Sequence, residues 1–161
     1  MSELVVHRAT LGDVEDMHRL INYFAGKELM LSKSRNHLYQ HIRDFFVARK
    51  DVEFAGCGAL HVLWGDLGEI RSLAVDERFQ GNGVGRKIVK ALLQDATSLD
   101  LPRVFALTYQ GPFFERLGFI RVEKETMPRK VWGECIDCPK FPNCDEVAVI
   151  MDAPFAVSGE S

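Results

Sequence analysis

No apolar run in the sequence approaches the roughly 20 residues that a membrane-spanning helix needs. Charge blocks are missing too. Twenty Lys and Arg against 23 Asp and Glu leave a net charge of −3, so the chain lacks the basic footprint of a nucleic-acid binder. Internal repeats and low-complexity linkers are also absent. That leaves 161 residues, 47% of them apolar, for one compact domain with its own core. Met1-Ser-Glu-Leu4 lacks the charged and apolar regions of a secretory signal, so the chain is expected in the cytoplasm, where disulfides are rare. Cysteine is scarce, with 4 in all. Cys135, Cys138 and Cys144 form C-x2-C-x5-C in a loop, which reads as reduced thiols or as a metal site completed by Cys57, His61 or Asp145. Three sulfurs are one short of a closed structural zinc site, and no metal is expected.

What is present is a glycine-rich stretch, Glu69 to Arg86, around which the rest is arranged. Ile70, Leu73 and Val75 form a short β-prone run that Asp76 and Glu77 end. Val84, Ile88, Val89, Ala91 and Leu92 then recur at helical spacing. Gly81, Gly83 and Gly85 therefore fall at a helix N-terminus. There glycine lets the backbone bend and approach a ligand, and the first N–H groups and the dipole favour a phosphate. This is not a P-loop, because Arg86, Lys87 and Ile88 follow Gly85 without a magnesium-binding hydroxyl. Nor is it a dinucleotide fingerprint, because the three glycines are evenly spaced by two.

Leu4 to Arg8 reads as a first strand. Thr10 and Asp13 form a capping-box start to a helix whose one face carries Val14, Met17, Leu20, Ile21 and Phe24. Gly26 is expected to stop that helix, and residues 29–36 to lead into a second one carrying Leu38, His41 and Ile42. Phe45 to Ala48 and Phe54 to Trp64 read as a hairpin around Lys50-Asp51, with Gly65-Asp66-Leu67-Gly68 turning into the central strand. Arg103 to Tyr109 is a further strand. Pro112 suits a first helical position and Gly118 the position after a helix end, which predicts a short helix with a sharp stop. Glu146 to Met151 is the expected last strand. Residues 1–152 then make the domain and 153–161 a frayed tail.

Gln80-x-x-Gly83-x-Gly85 resembles the pyrophosphate loop of the GNAT acetyltransferase superfamily. Gly111 to Phe119, a short helix ending in Leu-Gly-Phe, resembles the GNAT segment that brings an aromatic close to the coenzyme thiol. From Lys130 through the three cysteines to Glu146, and over nearly the whole chain, the sequence is similar to the short single-domain bacterial N-acetylglutamate synthases. The resemblance implies an α/β (α+β) GNAT fold, with a mixed, mostly antiparallel central sheet flanked by helices and splayed between its two central strands. It implies acetyl-CoA as co-substrate. Leu73, Ala74 and Val75 would lie beside the pantetheine arm, Gln80, Gly81, Asn82, Gly83, Val84, Gly85 and Arg86 at the pyrophosphate, and Phe114 near the thiol. It further implies transfer of acetyl to the α-amine of L-glutamate, at the head of arginine biosynthesis.

Acyl transfer to an amine needs a base for the ammonium, a donor for the developing oxyanion, and a proton or dipole for the departing thiolate. Glu69, at the start of the central strand, is the candidate base. His61, in the neighbouring strand, is the alternative; a carboxylate at a strand end and a packed strand histidine are the ordinary readings of the two. The tyrosine that serves GNAT enzymes as acid aligns with Phe114, which has no proton to donate. Tyr109 is the candidate in its place, or the thiolate leaves toward a helix N-terminus. Cys57 reads as a small core residue rather than an acyl carrier. Two substrate carboxylates call for two cationic groups, and Lys33, Arg35, Arg71 and Lys130 are the candidates. Arg71 follows Glu69 at period two and so shares its strand face. The family more often has arginine where Lys33 stands, which weakens bidentate recognition there. Two other functions remain open: acetylation of a protein N-terminus or lysine in an open groove, and a non-catalytic coenzyme-A-binding module, which the loss of tyrosine at Phe114 would suit. A homodimer is left open, and neither nucleic acid nor membrane is an expected partner.

Overall fold

Alternating apolar side chains build seven strands into one sheet in the computed structural model, which describes residues 3–127 and 146–158. The strands are β1 (Leu4–Arg8), β2 (Phe45–Lys50), β3 (Glu53–Trp64), β4 (Leu67–Val75), β5 (Arg103–Thr108), β6 (Ile120–Val122) and β7 (Val147–Asp152). Their order is β1-β2-β3-β4-β5-β7-β6, and neighbours run antiparallel except β4 and β5, which run parallel. One face of the sheet buries Phe45, Val47, Phe54, Cys57 and Ala74 under α1 (Val14–Ala25) and α2 (Arg35–Gln40). The expected apolar face of α1 is the buried one, Val14, Met17, Leu20, Ile21 and Phe24. The opposite face packs Leu60, Ile70, Val104 and Val149 against Ile88, Val89 and Leu92 of α3 (Val84–Ser98) and Phe114 and Leu117 of α4 (Gly111–Leu117). No helix among the described residues is long and apolar enough to cross a membrane.

Local chemistry sets most element ends where the sequence places them. Asp13 Oδ2 accepts from the Thr10 N–H at 2.8 Å, the bond expected of a helix start. Gly118, at φ 111, ends α4 in the left-handed conformation that suits glycine. α1 stops at Gly26 as expected, but by another route. Gly26 caps it at a helical φ of −64 and the chain reverses at Glu28, φ 61, where the Leu29 N–H reaches back to the Phe24 carbonyl at 3.1 Å. α2 stops at Gln40, so His41 and Ile42 lie in the turn beyond it rather than on the helix. β4 begins at Leu67, inside the expected turn, because that side chain is buried with Phe105 and Met127. β6 is an addition: its three residues are too few to show a period in sequence, yet they pair with β7. After β7 the chain stays on the fold as far as Ser158. The Ala153 N–H donates to the Pro102 carbonyl at 2.9 Å, the Ser158 N–H donates to that of Leu117 at 2.8 Å, and Phe155 and Val157 pack on the α3 core. Their side chains give this segment apolar area that a frayed tail would leave in water.

Two irregularities open the sheet at its centre. The β3–β4 ladder slips by one residue between the pairs Cys57 with Ala74 and Ala59 with Arg71. The extra residue falls at Ser72, whose φ of 55 is a left-handed value rarely taken by non-glycine residues. The bulge reverses the alternation, so Leu73 and Val75 join Ile70 on the α3 side. Between β4 and β5, only Gly68 with Val104 and Glu69 with Phe105 are paired. Beyond Glu69 the two strands diverge, which is the expected splay.

Candidate active site

The diverging strands leave a cleft of about 190 Å³. It collects side chains from five parts of the chain: Glu69, Arg71 and Leu73 of β4, Thr108 and Tyr109 at and just past the end of β5, Phe113 and Phe114 of α4, Leu29–Leu31 with Lys33 before α2, and Glu146 before β7.

Glu69 is 7% exposed, and the Arg71 Nε donates to its Oε1 at 2.6 Å. Period two puts this acid and this cation on one face, as the sequence predicts. His61 stands directly opposite Glu69 in the β3–β4 ladder, so its ring shares that face. Lys33 arrives by a route the sequence does not announce. Asn22 of α1 clamps its backbone, accepting from the Lys33 N–H at 3.1 Å through Oδ1 and donating to the Lys33 carbonyl at 2.9 Å through Nδ2. Arg35, two residues on, is elsewhere. Its Nε and Nη2 grip the Glu15 carboxylate at 2.9–3.1 Å on the exposed side of α1, and the guanidinium beside Glu15 holds that carboxyl below its ordinary value. It does not line the cleft. Lys130, Cys135, Cys138 and Cys144 lie outside the described residues.

The glycine loop lies where β4 feeds into α3. Gly81 and Gly83 have φ of 85 and 78 with open space around each Cβ position, so it is the backbone conformation and not crowding that calls for glycine. Gly85 is there for contact. A Cβ would sit 3.1 Å from the Phe113 ring and 3.6 Å from Val75, so its absence lets the start of α3 close on the cleft wall. Gln80 Nε2 donates to the Val75 carbonyl at 3.2 Å and Asn82 Nδ2 to that of Phe79 at 3.1 Å. These side chains brace the loop. Val84 is buried and Arg86 half-buried, while Gly81, Asn82 and Gly83 are exposed. The first turn of a helix leaves N–H groups without intrahelical acceptors, and here they face outward at the positive end of the 15-residue α3. A positive backbone cradle that continues into an apolar slot between parted strands fits a ligand with phosphates at one end and an extended arm at the other.

At the far end, Phe114 is 3% exposed and packs edge-on to Phe113 and Phe119, with ring centroids 5.1 Å away in each case. It shapes the wall and offers no proton. Tyr109 is half-buried and is a hydroxyl-bearing side chain on the same cleft. Ala74 lies in the α1 core, so only its backbone can serve a ligand. Cys57 is fully buried, and burial pushes its thiol up to about 12; it stays protonated and cannot carry an acyl group as a thiolate. Three contributors escaped the sequence reading: Asn22, Thr108 and Glu146, the last a second carboxylate on the cleft. An asparagine late in an otherwise amphipathic helix is the one weak signal among them.

The family model for the Acetyltransferase (GNAT) family matches residues 13–119. An uncharacterised N-acetyltransferase of Chlorobaculum tepidum is 38% identical over 149 residues, 92% of this chain and 96% of that one. An amino-acid acetyltransferase of Mycobacterium tuberculosis is 44% identical over 133 residues, 81% of this chain and 76% of that one. Among solved structures, a Mycobacterium tuberculosis protein in complex with CoA and a ligand designated NLQ superposes with a TM-score of 0.80 at 38% identity, covering 92% of this chain and 98% of that one.

Proposed function

Since the chain belongs to the GNAT acetyltransferase family, we propose that it is the family member that moves acetyl from acetyl-CoA to the α-amine of L-glutamate, in the cytoplasm and at the head of arginine biosynthesis. The observation that carries this reading is the meeting of Lys33, Arg71 and Glu69 on one cleft: two cations for a dicarboxylate beside one buried carboxylate to take a proton. The amino-acid acetyltransferase relative supports it. In this reading the backbone of Leu73, Ala74 and Val75 receives the pantetheine arm, and Gln80 to Arg86 hold the pyrophosphate. Phe114 packs near the thiol, and Tyr109 supplies the proton to it. Glu69 removes the ammonium proton, directly or through water. Arg71 holds the α-carboxylate while its Nε keeps Glu69 oriented, Lys33 takes the γ-carboxylate, and Lys130 remains a further cation for the substrate.

The test is a panel of amino acids and peptide amines with acetyl-CoA, read by release of the coenzyme thiol. Glutamate should give the highest kcat/KM. Equal use of glutamine, or preference for a peptide amine, defeats the glutamate assignment and leaves the acetyltransferase family intact.

A further inference from the structure

We propose that His41, Asp44 and His61 form a binding site for a divalent transition ion, zinc by its chemistry, on the flank of the cleft. His41 and Asp44 stand three residues apart at the two ends of the 3₁₀ turn that follows α2, and His61 lies in β3, so two pieces of backbone distant in sequence converge. Nδ1 of His61 lies 3.5 Å and Nδ1 of His41 3.7 Å from the same oxygen, Asp44 Oδ2. One ring nitrogen of each histidine and one Asp44 carboxylate oxygen fall within 4.8 Å of one another. Such separations are too long for direct hydrogen bonds, which run to about 3.2 Å. They suit donors arranged around a shared centre, since ligands about 2.0–2.1 Å from a tetrahedral ion sit roughly 3.4 Å from each other. Small side-chain rotations close the difference.

The donor set narrows the ion. Two imidazoles and one carboxylate favour zinc and its neighbours, and a nitrogen majority disfavours magnesium and calcium. Three protein ligands leave a fourth position for water. The side chains are 28–38% exposed, accessible to an ion from solvent without being fully hydrated. His37 stacks on His41 with centroids 4.2 Å apart and 26° between the rings, which holds the His41 imidazole in place. A bound ion would tie the turn after α2 to β3 at the residue that faces Glu69 across the ladder. Metal loading should therefore register at the cleft although no ligand lines it.

The test uses full-length protein stripped by a chelator and titrated with Co²⁺, with Zn²⁺ as competitor. One equivalent should bind, giving visible d–d bands that zinc abolishes, and zinc should raise Tm. His41→Gln and His61→Gln should each weaken this binding at least about a hundredfold, the upper end of what losing even a supporting partner does. Asp44→Asn, which keeps the side-chain volume, serves if either histidine variant changes the circular dichroism. The Cys135→Ser, Cys138→Ser, Cys144→Ser variant should retain the site. Absence of binding would overturn the proposal. So would an intense near-ultraviolet thiolate-to-cobalt band that disappears with the cysteines and ignores His41→Gln.

Discussion

The two ends of the cleft are made of different material. At the α3 end the exposed surface is backbone, with Gly81 and Gly83 at positive φ and the side chains of Gln80 and Asn82 turned back to brace the loop. At the other end the cleft is lined by side chains: Glu69 and Arg71 from β4, Tyr109 from just past β5, and Lys33 from a connection held by α1. A backbone cradle accepts any ligand with the right phosphate and arm, whereas converging side chains select one substrate by charge and reach. Damage to the first end should remove coenzyme binding outright. Damage to the second should leave coenzyme affinity alone and alter rate or substrate choice.

The largest effect expected is that of Gly83→Glu. The new carboxylate would face the phosphates at the positive end of α3, and a side chain at φ 78 adds about 1–2 kcal/mol of strain. Acetyl-CoA binding should vanish in calorimetry while the circular dichroism is kept. Gly83→Ala separates the two causes, since it carries the strain without the charge and should bind measurably. Unchanged affinity in Gly83→Glu would erase the distinction between the two ends.

Glu69→Gln comes next. Loss of a general base costs roughly 10²–10⁴-fold in rate, and the loss should be greatest at low pH, where more of the substrate amine is protonated. Acetyl-CoA affinity should barely move. A pH–rate profile that overlays the parent's would remove Glu69 from the role and bring forward His61, its partner across the ladder.

The same contrast explains what the sequence could disclose. Gln80 to Arg86 is contiguous, and glycine spacing before a helical period specifies both the conformation and the location of the loop; the short α4 was legible from Pro112 and Gly118 in the same way. The pairing of Glu69 with Arg71 was legible because both stand on one strand at period two. Lys33 and Arg35 looked alike in sequence. Only the position of Glu15 on α1, and of Asn22 about two turns further along, sends one cation outward and the other to the cleft. The bulge at Ser72 was not legible, since it answers to strand register and not to local composition. The docking of Phe155 and Val157 was missed because two isolated apolar residues near a terminus form no period.

Lys33→Met and Arg35→Ala turn that separation into a measurement. Removing a charge-assisted bond to the γ-carboxylate costs roughly 1.5–3 kcal/mol, or about a tenfold to hundredfold loss in kcat/KM on glutamate. Glutamine, which has no such charge, should be affected much less. Arg35→Ala should change kcat/KM little, because its partner is an exposed Glu15. If Arg35→Ala matched Lys33→Met in its effect on glutamate, the substrate end would extend well beyond the cleft walls.

The smallest effect expected should fall on neither end. Asp13 is 5% exposed, accepts from the Thr10 N–H at the start of α1, and pairs with Arg49 Nη2 at 2.7 Å. Burial alone would raise its carboxyl. The Arg49 hydrogen bond, the Thr10 amide and the charges of Arg49 and His7 outweigh that and hold it below the ordinary 3.8. A depressed native value means the stabilisation is complete above the unfolded value near 3.8 and is lost as pH falls through the native one. Asp13→Asn should therefore cost about 1–2 kcal/mol at neutral pH in urea denaturation, because it removes the charge that Arg49 pairs with while an amide oxygen can still cap the helix start. The gap between mutant and parent should begin to narrow as pH falls through about 3.8 and vanish only below the depressed native value, where the folded parent's carboxyl is protonated as well. Affinity for acetyl-CoA and kcat/KM on glutamate should both match the parent, because Asp13 holds α1 to β2 without touching the cleft. A loss of substrate selectivity in this variant would mean that the placement of Lys33 depends on the whole of α1, and not on the Asn22 clamp alone.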